Sequence, residues 1–302
     1  MTASAGAPLR SMLFVPGDDE KKLAKASKSE ADALIIDLED SVSESRKGIA
    51  REVTSGYLDQ NLLAAHGPDL WVRINPLDTP HALSDLAAVV RYGPAGILVP
   101  KIYGRHDMTT LGHYLDAMEA VYELPQGSVR ILPVVTETPT AVLRLGELGQ
   151  GTGLERVYGF TWGAEDLSAS LGASTNVGPD GRWAVTYQFA RSSTLLAAAS
   201  AGVHAIETLY VDIRDTEGLA ASSRVARAEG FTGRIAVHPA QVGPINDAFT
   251  PSEPELEYAR RVIEAFADSN IGVVALDGKM LDAPHLRRAQ HVLTVGAKRR
   301  NR

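Results

Sequence analysis

The sequence predicts a single (β/α)8 barrel, an α/β fold in which eight parallel strands alternate with helices. Two observations lead to this prediction. Eight short apolar runs of strand type recur along the chain, and longer amphipathic segments separate them. Together they occupy about 240 residues, which agrees with the usual length of this fold.

The apolar runs account for the eight predicted strands. They are MLFVPG (12–17), ALIIDLED (33–40), LWVRIN (70–75), GILVPK (96–101), ILPVVTE (131–137), VYGFTWGAED (157–166), AIETLYVD (205–212) and RIAVHP (234–239). A doubly wound sheet is the structural alternative, but it would require several of these runs to lie elsewhere. No glycine-rich dinucleotide turn follows any of them, so the barrel is favoured.

Helix-like segments fill the intervals between the strands. They include EKKLAKASKSEA, ALSDLAAVVRY, AVLRLGEL, WAVTYQFARSSTLLAAASAG and TEGLAASSRVARAEG. Several end at Gly, as helix C-termini often do. The barrel is therefore predicted to span residues 1–245, and it does not need the remaining segment, 246–302.

Composition limits the chemistry that the chain can perform. The chain has 302 residues, of which 44% are hydrophobic and 22% charged, an ordinary globular composition. The absence of Cys excludes disulfides, thiolate nucleophiles and Cys-ligated zinc. A formal charge of −7 argues against a general nucleic-acid surface. No apolar run is long enough to span a membrane, and MTASAGAPLR lacks the layout of a signal peptide, so we expect a cytoplasmic protein.

Several familiar catalytic motifs are missing from the sequence. There is no H-E-x-x-H, no G-x-S-x-G and no G-x-x-x-x-G-K-[ST]. These absences exclude the zinc peptidases, α/β-hydrolases and P-loop proteins that carry them.

Charged and polar side chains end the predicted strands, where the active sites of barrels lie. They are Asp37, Glu39, Asp40, Arg73, Asn75, Lys101, Glu137, Glu165, Asp166, Asp212, Arg214 and His238. So many carboxylates at one mouth would repel each other unless cations neutralise them, which predicts a hard divalent metal such as Mg²⁺. For any single carboxylate, a helix cap or a solvated loop charge is the competing interpretation.

A set of motifs in family order carries a resemblance to known proteins. The blocks are LFVPGDDEKKLAKA, DLEDSV, VRINPLDTP, TET, GAEDLSASLGAST, YVDIRD, GFTGRIAVHPAQV, FTPSEPE and DGKMLDAP. Across about Arg10 to Val292 the chain resembles the citrate lyase beta subunit-like group of the HpcH/HpaI aldolase superfamily, and especially acyl-CoA lyases of the citramalyl-CoA and malyl-CoA type. The resemblance implies a (β/α)8 barrel with a C-terminal helical extension, assembled as a homotrimer or hexamer.

The resemblance also implies roles for residues at the barrel mouth. Glu137 of TET and Asp166 of GAED match the family's Mg²⁺ ligands. Arg73 of RIN matches its substrate-binding arginine, which could bind a carboxylate or stabilise an enolate oxygen. Glu39 and Asp40 of DLED match an acidic motif near the metal, where we expect them to hold metal-bound water or to orient Arg73. Asp37 is expected to be structural.

Binding of coenzyme A is expected on the first helix and at two neighbouring strand ends. Lys21 and Lys25 are four residues apart, so that both can face one polyphosphate. They match CoA-contacting positions of the citramalyl-CoA lyases. The family pattern also matches Phe14, Val237 and His238 to ligand-contacting positions.

The catalytic acid or base is expected in the C-terminal segment. Asp282 of DGKMLDAP matches the family's catalytic aspartate, which the extension (246–302) delivers to the active site of a neighbouring subunit. The implied reaction is a reversible Claisen-type cleavage of a 3-hydroxyacyl-CoA into an acyl-CoA and a 2-oxoacid through an enolate.

Three alternatives to this reaction remain open at the level of sequence. One is a metal-dependent aldolase on free 2-oxoacids without CoA. Another is a citrate lyase-type subunit that uses an acyl carrier protein, and the third is a non-catalytic barrel that binds acyl-CoA. The chain also reads ETPTA and PKIYG where relatives have ETARG and PKVES, so the identity of the acid is open.

Overall fold

The computed structural model describes residues 8–61, 67–149, 154–267 and 272–300. The chain divides into two compact units, Met1–Asn246 and Asp247–Arg302. The boundary predicted from the sequence, between residues 245 and 246, lies one residue earlier.

In the residues that the structure describes, the first unit contains a sheet of eight parallel strands. They are β1 (Ser11–Pro16), β2 (Ala33–Asp37), β3 (Asp69–Arg73), β4 (Gly96–Val99), β5 (Arg130–Pro133), β6 (Gly159–Thr161), β7 (His204–Glu207) and β8 (Gly233–Ala236). Their order in the sheet is β5-β4-β3-β2-β1-β8-β7-β6, and each hydrogen-bonded pair is parallel. The predicted (β/α)8 barrel is confirmed.

The barrel closes between β5 and β6 through isolated bridges rather than a continuous ladder. Ile131 N donates to Arg156 O at 2.8 Å, and Val135 N donates to Thr161 O at 2.9 Å. Alternate residues of a strand donate to the same neighbour, so the residue between these two donors is Pro133, which has no N–H. The missing donor explains why the ladder is interrupted at this seam.

Helices alternate with the strands. In the first unit they are α1 (Glu20–Ala26), α2 (Lys47–Asn61), α3 (Ala82–Val89), α4 (Arg105–Val121), α5 (Pro139–Leu143), α6 (Leu145–Leu148), α7 (Glu165–Leu171), α8 (Val185–Ala201) and α9 (Thr216–Glu229), followed by α10 (Val242–Ala248) across the boundary. The predicted segment AVLRLGEL is thus split between two short helices, and EKKLAKASKSEA is helical only as far as Ala26.

Side chains of alternate strand residues fill the barrel interior. Met12, Ile35, Trp71 and Ile235 belong to one buried cluster inside it. Because side chains alternate along a strand, the residue two positions further on points the same way. The row of interior residues therefore continues to Phe14, Asp37, Arg73 and Val237 at the mouth, and core packing on these strands also orients residues of the candidate site.

Most of the predicted strands were too long at their carboxyl ends. β2 ends at Asp37, whose carboxylate accepts hydrogen bonds from the backbone N–H groups of Glu39 at 2.9 Å and Ser41 at 3.0 Å. A side chain that bonds the following backbone in this way favours a turn over a strand. Glu137 lies in the loop after β5, and Asp166 lies in the first turn of α7 rather than at the end of a strand.

The second unit contains α11 (Glu253–Ala267), a hairpin of β9 (Val273–Leu276) and β10 (Lys279–Asp282), and α12 (Ala283–Arg300). It therefore adds a two-stranded sheet to the helices that the sequence predicted. The hairpin turn is Asp277–Gly278, and both residues have positive φ, 51° and 73°. This is the residue pair and backbone geometry that a type I′ turn requires.

Buried apolar side chains from all parts of the second unit form its core. Ala259 and Val262 of α11 pack with Leu281 of β10 and Ala289 of α12. At the start of α11, Glu255 accepts a hydrogen bond from the backbone N–H of Ser252 at 2.7 Å, as in a capping box.

Within the ranges that the structure describes, no helix combines the length and the apolar character needed to cross a membrane.

The barrel interior should not tolerate a side chain at Gly96. A Cβ atom there would lie 2.3 Å from Cζ3 of the buried Trp71. We therefore expect Gly96→Ala to lower the free energy of unfolding by roughly 2–3 kcal/mol, since overpacked cores must shift. The matched control is Gly112→Ala within α4, where a Cβ meets nothing within 4 Å, and it should raise this free energy by about 0.5 kcal/mol. Equal urea midpoints for both variants would contradict the packing argument.

Candidate active site

Arg73 is held at the barrel mouth by Asp37 on the adjacent strand. The two residues are register partners in β2 and β3. Arg73 Nε donates to Asp37 Oδ1 and Arg73 Nη2 donates to Asp37 Oδ2, both at 2.7 Å. A bidentate pair of this kind fixes the plane of the guanidinium as well as its position.

Two further contacts complete the surroundings of Arg73. Its Nη1 lies 2.8 Å from Glu39 Oε2, and its Cζ lies 4.6 Å from the centre of the Phe14 ring, within the range of a cation–π contact. Burial opposes the charge of Arg73, but the hydrogen bonds to Asp37 and the charge of Glu39 raise its pKa. Burial likewise opposes ionisation of Asp37, yet Arg73 holds the pKa of this carboxyl below its usual value. The pair is therefore fully ionised at neutral pH.

Lys101 joins the remaining carboxylates of the mouth. Its ammonium bonds Glu39 Oε1 and lies 3.1 Å from Asp40 Oδ2 and 3.4 Å from Asp166 Oδ1. Its backbone has a left-handed φ of 51°, which is uncommon for a lysine. In this conformation its N–H donates to Glu137 Oε2 at 2.5 Å. Burial opposes the charge of Lys101, but the hydrogen bond and charge of Glu39 raise its pKa.

Glu137 is a buried carboxyl with a strongly raised pKa. It is only 4% exposed. Burial, reinforced by the charge of Asp166, raises the pKa of Glu137 to about 8. Burial also raises the pKa of Glu39. Too little positive charge therefore surrounds Glu137 and Glu39 to stabilise their ionised forms at neutral pH.

The mouth carries more acidic than basic groups. Arg73 and Lys101 are surrounded by five carboxyl groups, those of Asp37, Glu39, Asp40, Glu137 and Asp166. A divalent cation would offset much of the difference.

Glu137 and Asp166 are suited to hold a cation of this kind. A Cβ atom on Gly163 would lie 3.0 Å from Glu137 Cγ and 3.3 Å from its Oε1, so glycine keeps space beside this carboxylate. In the ranges covered by the structure, no group of three or more His, Asp or Glu residues is placed to hold a metal. Glu137 and Asp166 would supply two oxygen ligands, a number typical of Mg²⁺ sites that keep water or substrate in the remaining positions.

Several other residues of the predicted ring have different partners. Asn75 Nδ2 donates to Leu38 O at 2.9 Å and to Asp85 Oδ2 at 2.6 Å. Glu165 accepts from Asn176 at 2.8 Å. Asp212 accepts from the backbone of Arg214 at 2.9 Å and so stabilises its own loop. These three side chains therefore stabilise local structure.

Sequence reasoning placed Lys101 at the mouth but gave it no role. Its ammonium lies among three carboxylates, and its N–H bonds a fourth. The signal available in the sequence is its position two residues after the end of the fourth strand. The left-handed backbone that aims its N–H at Glu137 leaves no such signal.

The predicted CoA-binding residues lie on the surface of the barrel unit. Lys21 and Lys25 are both exposed on α1, whose N-terminus is capped by Asp19. Neither lysine has an ion pair with another residue of the described chain, whereas Lys22 between them lies 3.3 Å from Asp19 Oδ2. The helix thus offers two ammonium groups that are available to an anion.

Val237 and His238 follow β8 at the same end of the barrel as Arg73. The N–H of Val237 donates to Gln241 Oε1 at 2.9 Å, and His238 Nδ1 accepts from the N–H of Ala240 at 3.2 Å. Both residues are therefore ordered by the single 3₁₀ turn that follows, Pro239–Gln241.

Asp282 is the last residue of β10, in the second unit. Its carboxylate contacts the ring of His285, one turn into α12, with 2.6 Å between Oδ1 and Nδ1.

Comparison with known proteins identifies the family. The sequence matches the HpcH/HpaI aldolase/citrate lyase family over residues 10–239. This chain belongs to that family. The citrate lyase subunit beta of Escherichia coli strain K12 is 34% identical over 288 residues, which cover 94% of this chain and 92% of that protein. The mitochondrial citramalyl-CoA lyase of Rattus norvegicus is 30% identical over 300 residues, or 95% of this chain and 86% of that protein.

Solved structures of the family support the same assignment. The crystal structure of CitE from Mycobacterium tuberculosis in complex with magnesium, acetoacetate and coenzyme A has a TM-score of 0.78 and 30% identity. The match covers 97% of this chain and 99% of CitE. The family predicted from the motifs is confirmed, and so is the predicted enzyme class, because the named relatives are lyases.

The Asp37–Arg73 pair should make a pH-dependent contribution to stability. Replacing Asp37 by Asn leaves Arg73 buried beside a neutral amide, so we expect Asp37→Asn to lower the free energy of unfolding by about 3 kcal/mol at neutral pH. Because folding lowers the pKa of Asp37, its contribution is present above the ordinary value of 3.8 and is lost as the pH falls through the folded value.

Urea denaturation of both proteins at pH steps from neutral to about 3.5 measures this difference. The gap between wild type and Asp37→Asn should narrow towards the acid end. Asp40→Asn is the control, since Asp40 is half exposed and lies 4.0 Å from Arg73 Nη1. A gap of constant size at every pH would contradict the role given to the Asp37 charge.

Proposed function

We propose that this protein is a Mg²⁺-dependent lyase that cleaves, or in reverse forms, a 3-hydroxyacyl-CoA such as citramalyl-CoA or malyl-CoA. The products are an acyl-CoA such as acetyl-CoA and a 2-oxoacid, pyruvate or glyoxylate. The observation that carries the proposal is the buried, electrostatically unbalanced Glu137 beside Asp166, close to an arginine that is fixed in place. Relatives that act on citramalyl-CoA, and a family structure that holds magnesium, acetoacetate and CoA, support it.

Glu137 and Asp166 are the residues that would hold the cation. Both carboxylates lie at the barrel mouth, and the raised pKa of Glu137 records an unfavourable charge that a cation would stabilise. When bound, Mg²⁺ supplies a Lewis acid and a template for the carboxylate and neighbouring oxygen of the 2-oxoacid. Lys101 contacts both ligands and would keep them in place, through its N–H to Glu137 and its ammonium to Asp166.

Arg73 would bind negative charge on the substrate. Asp37 and Phe14 fix its guanidinium, so little conformational entropy is lost when a substrate oxygen is bound. A fixed cation there can bind a carboxylate or stabilise the oxygen of a thioester enolate. Glu39 supports this orientation from the other side of the guanidinium.

Cleavage would be completed by Asp282 from a neighbouring subunit. The hydroxyl of the substrate loses its proton to a base, the adjacent carbon–carbon bond breaks, and the electron pair remains as the acyl-CoA enolate. Asp282 would then protonate the enolate carbon. This role requires a homo-oligomer, either a trimer or a hexamer, in which the unit Asp247–Arg302 reaches the barrel mouth of another copy.

The first test measures turnover directly. Purified protein with Mg²⁺ is incubated with malyl-CoA, citramalyl-CoA and related 3-hydroxyacyl-CoA thioesters, and the release of acyl-CoA and 2-oxoacid is followed. We expect cleavage of at least one thioester, with loss of activity in excess EDTA and a decrease of at least about 100-fold in Glu137→Gln and Asp282→Ala.

The same assay distinguishes the alternative functions. Turnover of acyl carrier protein thioesters but not CoA thioesters would favour a citrate lyase-type subunit, the kind of protein represented by the relative from E. coli. Turnover of free hydroxyacids alone would favour an aldolase that does not use CoA. No turnover in the presence of bound CoA would leave a binding protein and would refute the proposed lyase.

Coenzyme A recognition can be tested on α1. We expect Lys21→Ala/Lys25→Ala to raise KM for the CoA thioester by about 10-fold or more, because two charge-assisted contacts to phosphate are lost. The value of kcat should change little, since the helix does not contact the reacting atoms. Lys22→Ala is the matched control, because Lys22 is on the same helix but is paired with Asp19. An unchanged KM in the double variant would exclude these lysines from CoA binding.

A further inference from the structure

A second titratable side chain contacts the proposed acid/base Asp282. His285 Nδ1 lies 2.6 Å from Asp282 Oδ1 and 3.2 Å from the backbone nitrogen of Asp282. The two residues are three positions apart, at the junction between β10 and α12. His285 is therefore the nearest partner of the carboxylate on which the proposed chemistry depends.

The short contact requires a proton between the two side chains. An ionised carboxylate oxygen and an unprotonated imidazole nitrogen are both acceptors, so a distance of 2.6 Å is favourable only when Nδ1 or Oδ1 carries a proton. The contact from the backbone N–H of Asp282, in contrast, uses Nδ1 as an acceptor. Loss of the proton would therefore change the partner of His285 from the side chain of Asp282 to its backbone.

Simple helix capping does not account for this pair. A capping aspartate normally accepts from the backbone N–H of the second or third helical residue. The second residue of α12 is Pro284, which has no N–H. Among the residues that the structure covers, the carboxylate of Asp282 is bonded to the imidazole of His285 and to no backbone N–H of α12.

Both side chains of the pair are accessible to solvent. Asp282 and His285 have side chains that are 45% and 51% exposed, so a reacting group can reach the free Oδ2 of Asp282. His285 lines a groove of about 530 Å³. The charged or titratable side chains that line this groove with it are Glu255 and Tyr258 from α11, Lys279 from β10 and Arg288 from α12.

We propose that His285 is a positioning residue that holds Asp282 through Nδ1 and returns to it the proton delivered to the enolate carbon. This inference rests on the proposed function. The proton that Asp282 gives to carbon is replaced from Nδ1, and the imidazole regains a proton from solvent. Cleavage releases one proton from the substrate hydroxyl and consumes one at carbon, so the cycle is balanced without any further reactant.

The kinetic test uses two replacements of the same side chain. We expect His285→Ala to lower kcat by about 10-fold to 100-fold with KM within about twofold, because orientation and proton return are both lost. His285→Asn keeps an N–H donor near the position of Nδ1 and should recover part of this loss. In wild type, kcat should fall at raised pH, where the imidazole has no proton to return to Asp282, and both variants should lack that decrease. His291→Ala, exposed on the same helix, is the control and should behave as wild type.

Two outcomes would overturn the positioning role. One is a pH profile and kcat in His285→Ala equal to those of wild type. The other is a lower melting temperature of His285→Ala with an unchanged profile, since that would leave His285 as a structural group of α12.

A spectroscopic measurement tests the pair independently of turnover. In ¹⁵N spectra of histidine-labelled protein, assigned through the signal that is missing in His285→Ala, the 2.6 Å contact predicts a proton on Nδ1 of His285. In Asp282→Asn the ring should change to the form protonated at Nε2 alone. If wild type has no activity on any thioester but shows this change, the proposed reaction fails while the pair is retained. An unprotonated Nδ1 in wild type refutes the pair itself.

Discussion

The bidentate pair between Asp37 and Arg73 is the interaction on which the barrel mouth depends. It crosses from β2 to β3 at the point where both strands end, and it fixes a buried guanidinium in one plane. Glu39 and Phe14 are arranged around that plane, and Lys101 approaches from the other side of Glu39. The mouth is therefore a connected charge network, in which one strand-end pair sets the position of the other members.

The network is stabilised only in part by the protein itself. Arg73 lowers the pKa of Asp37, but burial raises the pKa of Glu39 and of Glu137. A fold that keeps such a group in a family of metal-containing relatives is suited to bind a cation rather than to maximise its own stability. The same burial that disfavours ionised Glu137 would favour the binding of a cation beside it.

Most of the architecture could be predicted from the sequence, because buried parallel strands appear as uninterrupted apolar runs such as ALII in β2. Strand ends were less predictable, since the turn at Asp37 depends on hydrogen bonds made by its own side chain. Glu137 and Asp166 were singled out by motif, although neither belongs to a strand. The placement of Lys101 and the partner of Asp282 depend on backbone angles and side-chain contacts that sequence spacing alone does not reveal. The hairpin was not predicted, although the pair Asp277–Gly278 is a sequence signal for its turn.

Phe14, Asp37 and Arg73 each lie two residues beyond a core side chain of the same strand, and Val237 continues the same row at the end of β8. The core side chains and the side chains at the barrel mouth therefore follow the same alternation along each strand. A one-residue insertion or deletion within one of these strands would move the side chains beyond it to the opposite face of the sheet. Apolar core side chains or functional side chains at the mouth would then point out of the barrel. Length changes in the loops leave this alternation intact. Within the strands, the number of residues between the core side chains and those at the mouth has to stay the same.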